Sequence, residues 1–150
     1  MRLALQISML LLLIPATGQA QIQWPKRPLP DAARLHVASW HDRGEFNNAN
    51  AGLALHWPGG FSAGGYYNSM SRASWYAGFT VPVYDYHSLQ LDVMVGALTG
   101  YSLATPAIPI MVPVFGYRLN PQNAVQLVFI PHLVLPANIV HAMYEYRFRH

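Results

Sequence analysis

The feature that most constrains this chain is an alternation of apolar and other residues with a period of two, in segments of about ten residues. Successive side chains of a strand point to opposite faces, so this period predicts strands with one apolar face. The C-terminal segment places aromatic rings at Tyr144, Tyr146 and Phe148. In residues 88–99 one face would carry Leu89, Leu91, Val93, Val95 and Ala97, and the other Gln90, Asp92 and Met94.

Eight such segments are predicted, separated by turns that contain Asn, Gly, Asp or Pro. An even number of short antiparallel strands can close on itself, so we predict an all-β fold: an eight-stranded antiparallel transmembrane β-barrel of up-and-down topology, over residues 33–150. The odd-numbered connections would face outward and the others the periplasm. The predicted strands are 33–44, 51–57, 60–68, 73–84, 88–99, 108–118, 123–131 and 138–149.

Charged side chains are expected inside such a barrel, because a charge that faces lipid is costly. Asp92, Glu145 and Arg147 are therefore predicted to point inward and to pair near the periplasmic end. Residues 51–57 and 73–84 are apolar on both faces. The interior beside them is either packed solid or an apolar cavity.

The N-terminus has the organisation of a secretory signal peptide. Arg2 precedes the apolar stretch 3–14, and small residues follow at Gly18 and Ala20. A spanning helix needs about 20 apolar residues, so residues 1–20 are predicted to be a cleaved signal, with an uncleaved anchor as the alternative. Residues 21–32, which contain three prolines, are predicted to be an extended periplasmic lead-in.

Composition narrows the class of function. Hydrophobic residues make up 53% of the chain and charged residues 10%, which suits spanning strands in the outer membrane of a Gram-negative bacterium. The net charge is +3, but the basic residues are scattered, so no nucleic-acid partner is predicted. No HExxH motif or other ligand spacing is present in the sequence, and we predict neither a metal nor a cofactor.

Two prolines fall in neighbouring predicted strands, Pro113 in the sixth and Pro131 at the end of the seventh. Proline cannot donate to a strand ladder, so pairing between these strands should be weakened. A lipid could then enter sideways. The alternative is that the prolines only trim the strand ends.

Residues capable of acyl chemistry are predicted at one rim of the barrel. His41 lies near the outer end of the first strand, and Asn68 and Ser69 lie at the outer end of the third. A serine hydroxyl needs a base to become nucleophilic, so Ser69 would attack, His41 would be the base, and Asn68 would orient the imidazole or stabilise an oxyanion. The alternative is a histidine with no catalytic role.

Strict alternation gives His41 the same parity as Leu35, Val37 and Ser39. If His41 faces the interior, these residues should line it, while His36 and Trp40 should face outward. The opposite assignment would leave His41 facing lipid.

Seven short motifs lie in order along the chain: Ser39–Arg43, Tyr67–Ser69, Trp75–Phe79, Leu91–Gly100, Ile108–Pro113, Phe129–Pro131 and Tyr144–Phe148. Together they resemble, in the same order, the outer-membrane lipid A palmitoyltransferase family, over most of residues 36–149. The resemblance implies an eight-stranded barrel with a hydrocarbon-lined well. It also implies transfer of a palmitoyl chain from phospholipid to lipid A, through a histidine and an Asp-Ser pair at the outer rim.

The resemblance assigns roles to individual residues. His41 and Ser69 match the family's catalytic positions, and Asn68 stands where the family has aspartate. Pro113 and Pro131 match prolines that loosen a lateral gate. Thr80 stands where the family has a glycine at the floor of the acyl well, which implies a shorter acyl chain.

The leading prediction is thus an outer-membrane acyltransferase, or a related acyl hydrolase, with phospholipid and lipid A or lipopolysaccharide as its partners. One alternative is a non-catalytic small barrel with a structural or surface-binding role. Another is an exported soluble β-barrel that binds a lipophilic ligand.

Overall fold

The structure is a computed structural model that describes residues 29–101, 104–132 and 137–149. It confirms the predicted closed, antiparallel, eight-stranded barrel with up-and-down connectivity. The predicted strand ends differ from the observed ones by at most three residues. The strands are β1 (Ala32–His41), β2 (Ala49–His56), β3 (Phe61–Tyr67), β4 (Ala73–Tyr86), β5 (Leu89–Thr99), β6 (Ala107–Arg118), β7 (Asn123–Ile130) and β8 (Ile139–Arg147).

The predicted signal, residues 1–20, and the lead-in up to residue 28 lie outside the described residues. Within the described part of the chain, no helix has the length and apolarity needed to cross a membrane. We call the end of the barrel where β1 begins the lower end, and the end where β1 finishes the upper end.

A tight turn joins β2 to β3 at the lower end. Gly60 has a φ of +91°, and a Cβ there would lie 2.4 Å from the carbonyl oxygen of Thr80. The amide of Thr80 donates to the carbonyl of Gly60 (2.8 Å). Only glycine combines this backbone conformation with such close approach, so the turn fixes β4 against the base of β3.

A β-bulge in β1 decides which of its side chains enter the barrel. The register with both neighbouring strands shifts between His36 and Ala38. A bulge adds one residue, so the inward parity changes along the strand. Arg34 and His36 are buried below the bulge, and Ser39 is buried above it.

The parity expectation for β1 was therefore wrong in part. Leu35 and Val37 are 49% and 54% exposed on the outside, whereas His36 is 6% exposed in the interior. Ser39 faces inward and Trp40 faces outward, as predicted. Strict alternation failed because it assumed a regular strand.

The lower interior contains a charged network centred on Glu145, which is 2% exposed. Its Oε2 accepts from Arg34 Nε and Gln126 Nε2, both at 2.8 Å, and its Oε1 accepts from Arg147 Nε at 2.8 Å. Arg34 also donates to Ser62 Oγ (3.2 Å). Buried charges persist only when they are paired and hydrogen-bonded. The inward pairing predicted for Glu145 and Arg147 is confirmed.

The outer surface carries an apolar band bordered by aromatic rings. Trp75 and Tyr84 lie on β4, nine residues apart, and are 66% and 55% exposed. Nine residues span about 30 Å along a strand, or about 23 Å along the axis of a barrel whose strands tilt by about 40°. Exposed aromatic rings border the band at its upper side (Trp40, Tyr67, Trp75) and its lower side (Tyr84, Tyr86, Tyr117, Tyr146).

Candidate functional site

His41, the last residue of β1, lies at the upper rim with its ring partly buried. Its Nδ1 donates to Asn48 Oδ1 (2.9 Å), and its ring stacks on Phe46 with centroids 4.7 Å apart. Because a carbonyl oxygen only accepts, the ring proton is on Nδ1, and Nε2 of the neutral ring is the basic nitrogen. That Nε2 has no hydrogen-bond partner among the described residues.

Asn68 is fully buried and its side-chain amide is engaged on both sides. Oδ1 accepts from the amides of Met70 (2.9 Å) and Arg72 (3.0 Å), and Nδ2 donates to the carbonyl of Gly100 (3.1 Å). A carboxylate cannot make the last of these contacts, since it has no donor. Asn68 thus holds the β3–β4 loop and ties it to the loop after β5.

Ser69 is 4% exposed, at the same rim as His41. Its carbonyl accepts from the amide of Asn47 (2.9 Å), the residue before the hydrogen-bond partner of His41. His41 and Ser69 are not hydrogen-bonded to each other, because Nδ1 of His41 binds Asn48 and Nε2 has no partner. The structure brings His41, Asn68 and Ser69 to one rim without joining them in one chain of hydrogen bonds, and their catalytic roles stay a prediction.

A second rim contact, between Asp42 and Asn138, was not foreseen from the sequence. The Asp42 carboxylate accepts from the backbone and side-chain amides of Asn138, whose Oδ1 accepts from the amide of His132 (2.9 Å). The side-chain hydrogen bond from Asn138 lowers the pKa of Asp42 below its ordinary value. This carboxylate follows His41 in sequence, yet it joins the first and last upper loops.

The β6–β7 ladder stops halfway up the barrel. Five residue pairs join these strands, against eleven between β5 and β6. The last β6–β7 pair is Val114 with Val128, although β6 extends upward to Ala107 and β7 to Ile130. The upper part of β6 is therefore held from the β5 side. We call the unpaired stretch the seam.

Two prolines of β6 account for the seam, because the backbone N–H that each of them lacks would point toward β7. Arg118 N donates to Ser88 O before β5, and Leu119 N donates to Asn123 O of β7. In a regular antiparallel strand alternate residues turn their amides to opposite neighbours, so odd-numbered residues of β6 face β7. Pro109 and Pro113 both belong to that set.

The same reasoning applies to β7. Arg147 N of β8 donates to Gln122 O, so even-numbered residues near β7 face β8 and odd-numbered ones, including Pro131, face β6. Extending the register would pair residue 113 with 129 and residue 111 with 131. Each pair would lose one of its two hydrogen bonds to a proline, which leaves little to hold the seam together.

An apolar cavity of about 50 Å³ adjoins the seam. Its wall on that side is formed by Ile110, Val112, Val128 and Ile130. A larger cavity of about 600 Å³ lies at the lower end, around Arg34, Asp92, Glu145 and Arg147. Thr80, the predicted floor of an acyl well, lines this lower cavity and not the apolar one.

Two buried histidines form the polar wall of the apolar cavity. His36 Nδ1 and His141 Nε2 are 2.7 Å apart, and His36 Nε2 is 3.1 Å from the hydroxyl of Tyr76. The ring of Tyr66 stacks on His36, with centroids 4.7 Å apart and planes 14° apart. Sequence reasoning missed this group because the bulge hid the inward parity of His36. The one available signal was that His141 shares its parity with Glu145, which was predicted to face inward.

Among the residues that the structure describes, no three His, Cys, Asp or Glu side chains are grouped so that they could hold a metal ion. In comparisons with known proteins, no protein-family profile and no curated protein matches the chain. Of solved structures, a similar one is the solution NMR structure of the de novo designed TMB2.3. It is 16% identical, with a TM-score of 0.49 over 83% of this chain and 99% of that one.

Proposed function

We propose that this protein is an outer-membrane enzyme that moves an acyl chain from a phospholipid to lipid A, and that the lipid reaches it through the seam between β6 and β7. The apolar outer band and its aromatic borders support a membrane location. Their axial separation of about 23 Å is close to the about 25 Å expected of an outer-membrane barrel. The inward charges of the lower interior fit the same environment.

The observation that carries the proposal is the seam. In lipid, an unpaired backbone amide or carbonyl costs several kcal/mol, so spanning barrels close their ladders completely. Here Pro113 interrupts the ladder where the apolar cavity meets the wall. A wall that opens toward lipid beside an apolar cavity suits a substrate that arrives from the bilayer with its acyl chain first.

At the rim, the proposed base is His41 and the proposed attacking or positioning hydroxyl is that of Ser69. The Nδ1 contact with Asn48 leaves Nε2 as the proton acceptor, which is the state a general base requires. The role of Asn68 is to fix the loop that carries Ser69, through its contacts with Met70, Arg72 and Gly100. Thr80 lines the lower cavity and not the apolar one, so its role as the floor of an acyl well stays a prediction.

The test is mass spectrometry of lipid A from cells that express this chain and its His41→Ala and Ser69→Ala forms. We expect one additional acyl mass with the parent chain and its loss in both variants. An acyl mass that persists in both variants would remove the rim residues from the mechanism while leaving the activity in place.

A disulfide across the seam tests lateral entry, and the chain contains no cysteine to interfere. Pro113→Cys with Phe129→Cys would pair in the extended register and close the seam under oxidising conditions. The matched control, Phe115→Cys with Leu127→Cys, joins the same two strands at a pair that is already formed. We expect acylation to fall on oxidation, and recover on reduction, in the first variant alone.

A non-catalytic small barrel is the second candidate, and two observations favour it. Backbone groups bind both the oxygen and the nitrogen of the Asn68 amide, and the apolar cavity of about 50 Å³ is far smaller than an acyl chain. Unchanged lipid A and phospholipid in cells that contain the folded barrel would establish this candidate over the enzyme.

A further inference from the structure

We infer that the barrel interior holds a second acid–base site, Tyr76–His36–His141, in which the Tyr76 hydroxyl is a nucleophile for an acyl ester that arrives through the seam. The identity of that ester as a phospholipid rests on the proposed function. The chemistry of the three side chains does not.

The geometry has the arrangement of an activated nucleophile. The Tyr76 hydroxyl lies 3.1 Å from His36 Nε2, and His36 Nδ1 lies 2.7 Å from His141 Nε2. With Tyr76 as the donor, His36 carries its proton on Nδ1 and donates it to His141. A hydroxyl, a base within reach of it, and a third group that orients the base are the components that nucleophilic catalysis needs.

Rigid elements hold the three side chains. They extend from paired positions of β4, β1 and β8, and Tyr76, His36 and His141 are 8%, 6% and 7% exposed. The Tyr66 ring lies nearly parallel to that of His36 and limits its rotation. Side chains on paired strands are held more precisely than those on loops. At the rim, by contrast, Ser69 lies in a loop and His41 is the last residue of its strand.

Access comes from the seam. His36, Tyr76 and His141 line the apolar cavity together with seam residues such as Val112 and Ile130. Parting of β6 from β7 above Val114 widens this cavity directly. An ester carbonyl that follows its acyl chain inward therefore meets the His36–Tyr76 pair.

The proposed reaction has two balanced steps. In the first, Tyr76 Oη forms a bond to the ester carbonyl carbon as its proton moves to His36 Nε2, and the Nδ1 proton of His36 moves to His141. The ester C–O bond breaks, and the leaving alcohol takes a proton back from His36 as His141 returns its own. In the second, an acceptor hydroxyl or water attacks the Tyr76 ester, and its proton returns to Tyr76 through His36.

The test uses the purified full barrel in detergent with 4-nitrophenyl butyrate as the probe. We expect release of 4-nitrophenolate and one butyryl group on Tyr76, located by peptide mass spectrometry. The chain has a single lysine, Lys26, so competing acylation of amines is easily recognised. Tyr76→Phe and His36→Gln should each lower the rate of release by about a hundredfold, as expected when a nucleophile or its base is removed.

The matched control is Tyr101→Phe, which removes a phenol hydroxyl bonded to Tyr66 and not to a histidine. It should keep the parent rate. Heat-dependent migration on gels establishes that each variant is folded. If His36→Gln does not fold, Tyr76→Phe alone decides, since it removes one oxygen atom. A folded Tyr76→Phe protein with the parent rate, or a parent protein with no Tyr76 adduct, would overturn the inference.

The lipid A assay separates the two proposals. Butyryl transfer through Tyr76 without any change in lipid A would refute the proposed function and leave the interior site in place. Added lipid A acyl mass from a parent protein that carries no butyryl group on Tyr76 would refute the interior site and leave the function in place.

Discussion

Replacing Pro113 with valine tests the cause of the seam. The new amide would face β7 opposite Phe129, whose carbonyl faces β6 by the same alternation. One additional ladder hydrogen bond contributes about 1 kcal/mol net. Losing a proline also frees the unfolded chain, which costs about 0.4–1 kcal/mol. These terms nearly cancel, so the free energy of global unfolding should change by less than about 1 kcal/mol.

The local effect should be clearer than the global one. About 1 kcal/mol of additional protection corresponds to a roughly fivefold slower local opening. Amide hydrogen exchange in detergent, followed by NMR at Val128, Phe129 and residue 113 itself, measures this directly. If lipid enters through the seam, Pro113→Val should also lower lipid A acylation.

Pro109→Val is the matched control. It restores an amide on the same side of β6, but the extended register places residue 109 opposite residue 133, beyond the end of β7 at Ile130. It should leave exchange at Phe129 unchanged. Equal protection of Phe129 in both valine variants, or in neither, would refute the explanation of the seam by a missing donor.

Three further outcomes are expected. Glu145→Gln leaves Arg34 buried without its carboxylate and should cost about 3–5 kcal/mol in urea unfolding, whereas Asp85→Asn, at an exposed pair with Arg118, should cost less than about 1 kcal/mol. Asn68→Asp leaves the Gly100 carbonyl without its donor and should destabilise the barrel by about 1–3 kcal/mol. It should not increase acylation, because the side chain is not directed at His41, and an increase would contradict this geometry. The pKa of Asp42 is lowered in the folded state, so its contact with Asn138 should stabilise the loops above the ordinary aspartate pKa and be lost as the pH falls through the lowered value. NMR titration of the Asn138 side-chain amide measures this, and a transition above the ordinary pKa would contradict it.

The strands were predictable because their signals are local. Period-two alternation and turn residues such as Asn120 and Pro121 lie within a few residues of the boundaries they set. The inward direction of Glu145 followed from the cost of facing a charge outward. Each of these inferences depends on the sequence of a single strand and its flanking turns.

What the sequence did not reveal depends on how strands meet. The position of His36 follows from a bulge defined against both β2 and β8. The engagement of Asn68 requires Gly100, which is 32 residues away. Pro113 could be identified as a breaker, but the side on which its missing donor matters follows only from the register with β5 and β7.

The position of the seam also sets how the barrel can deform. A split tube bends along the line opposite its slit, and in a ring of eight strands the line opposite β6–β7 is β2–β3. There Gly52, Gly64 and Gly65 lie at adjacent paired positions, packed closely against Tyr66, Ala54 and Trp75. At the upper end of that line the side chain of Asn50 donates to Tyr67 O (2.9 Å). The seam and the line of bending thus lie on opposite walls, so parting of β6 from β7 would make the upper mouth oval while the ladders of β4, β5 and β6 stay intact.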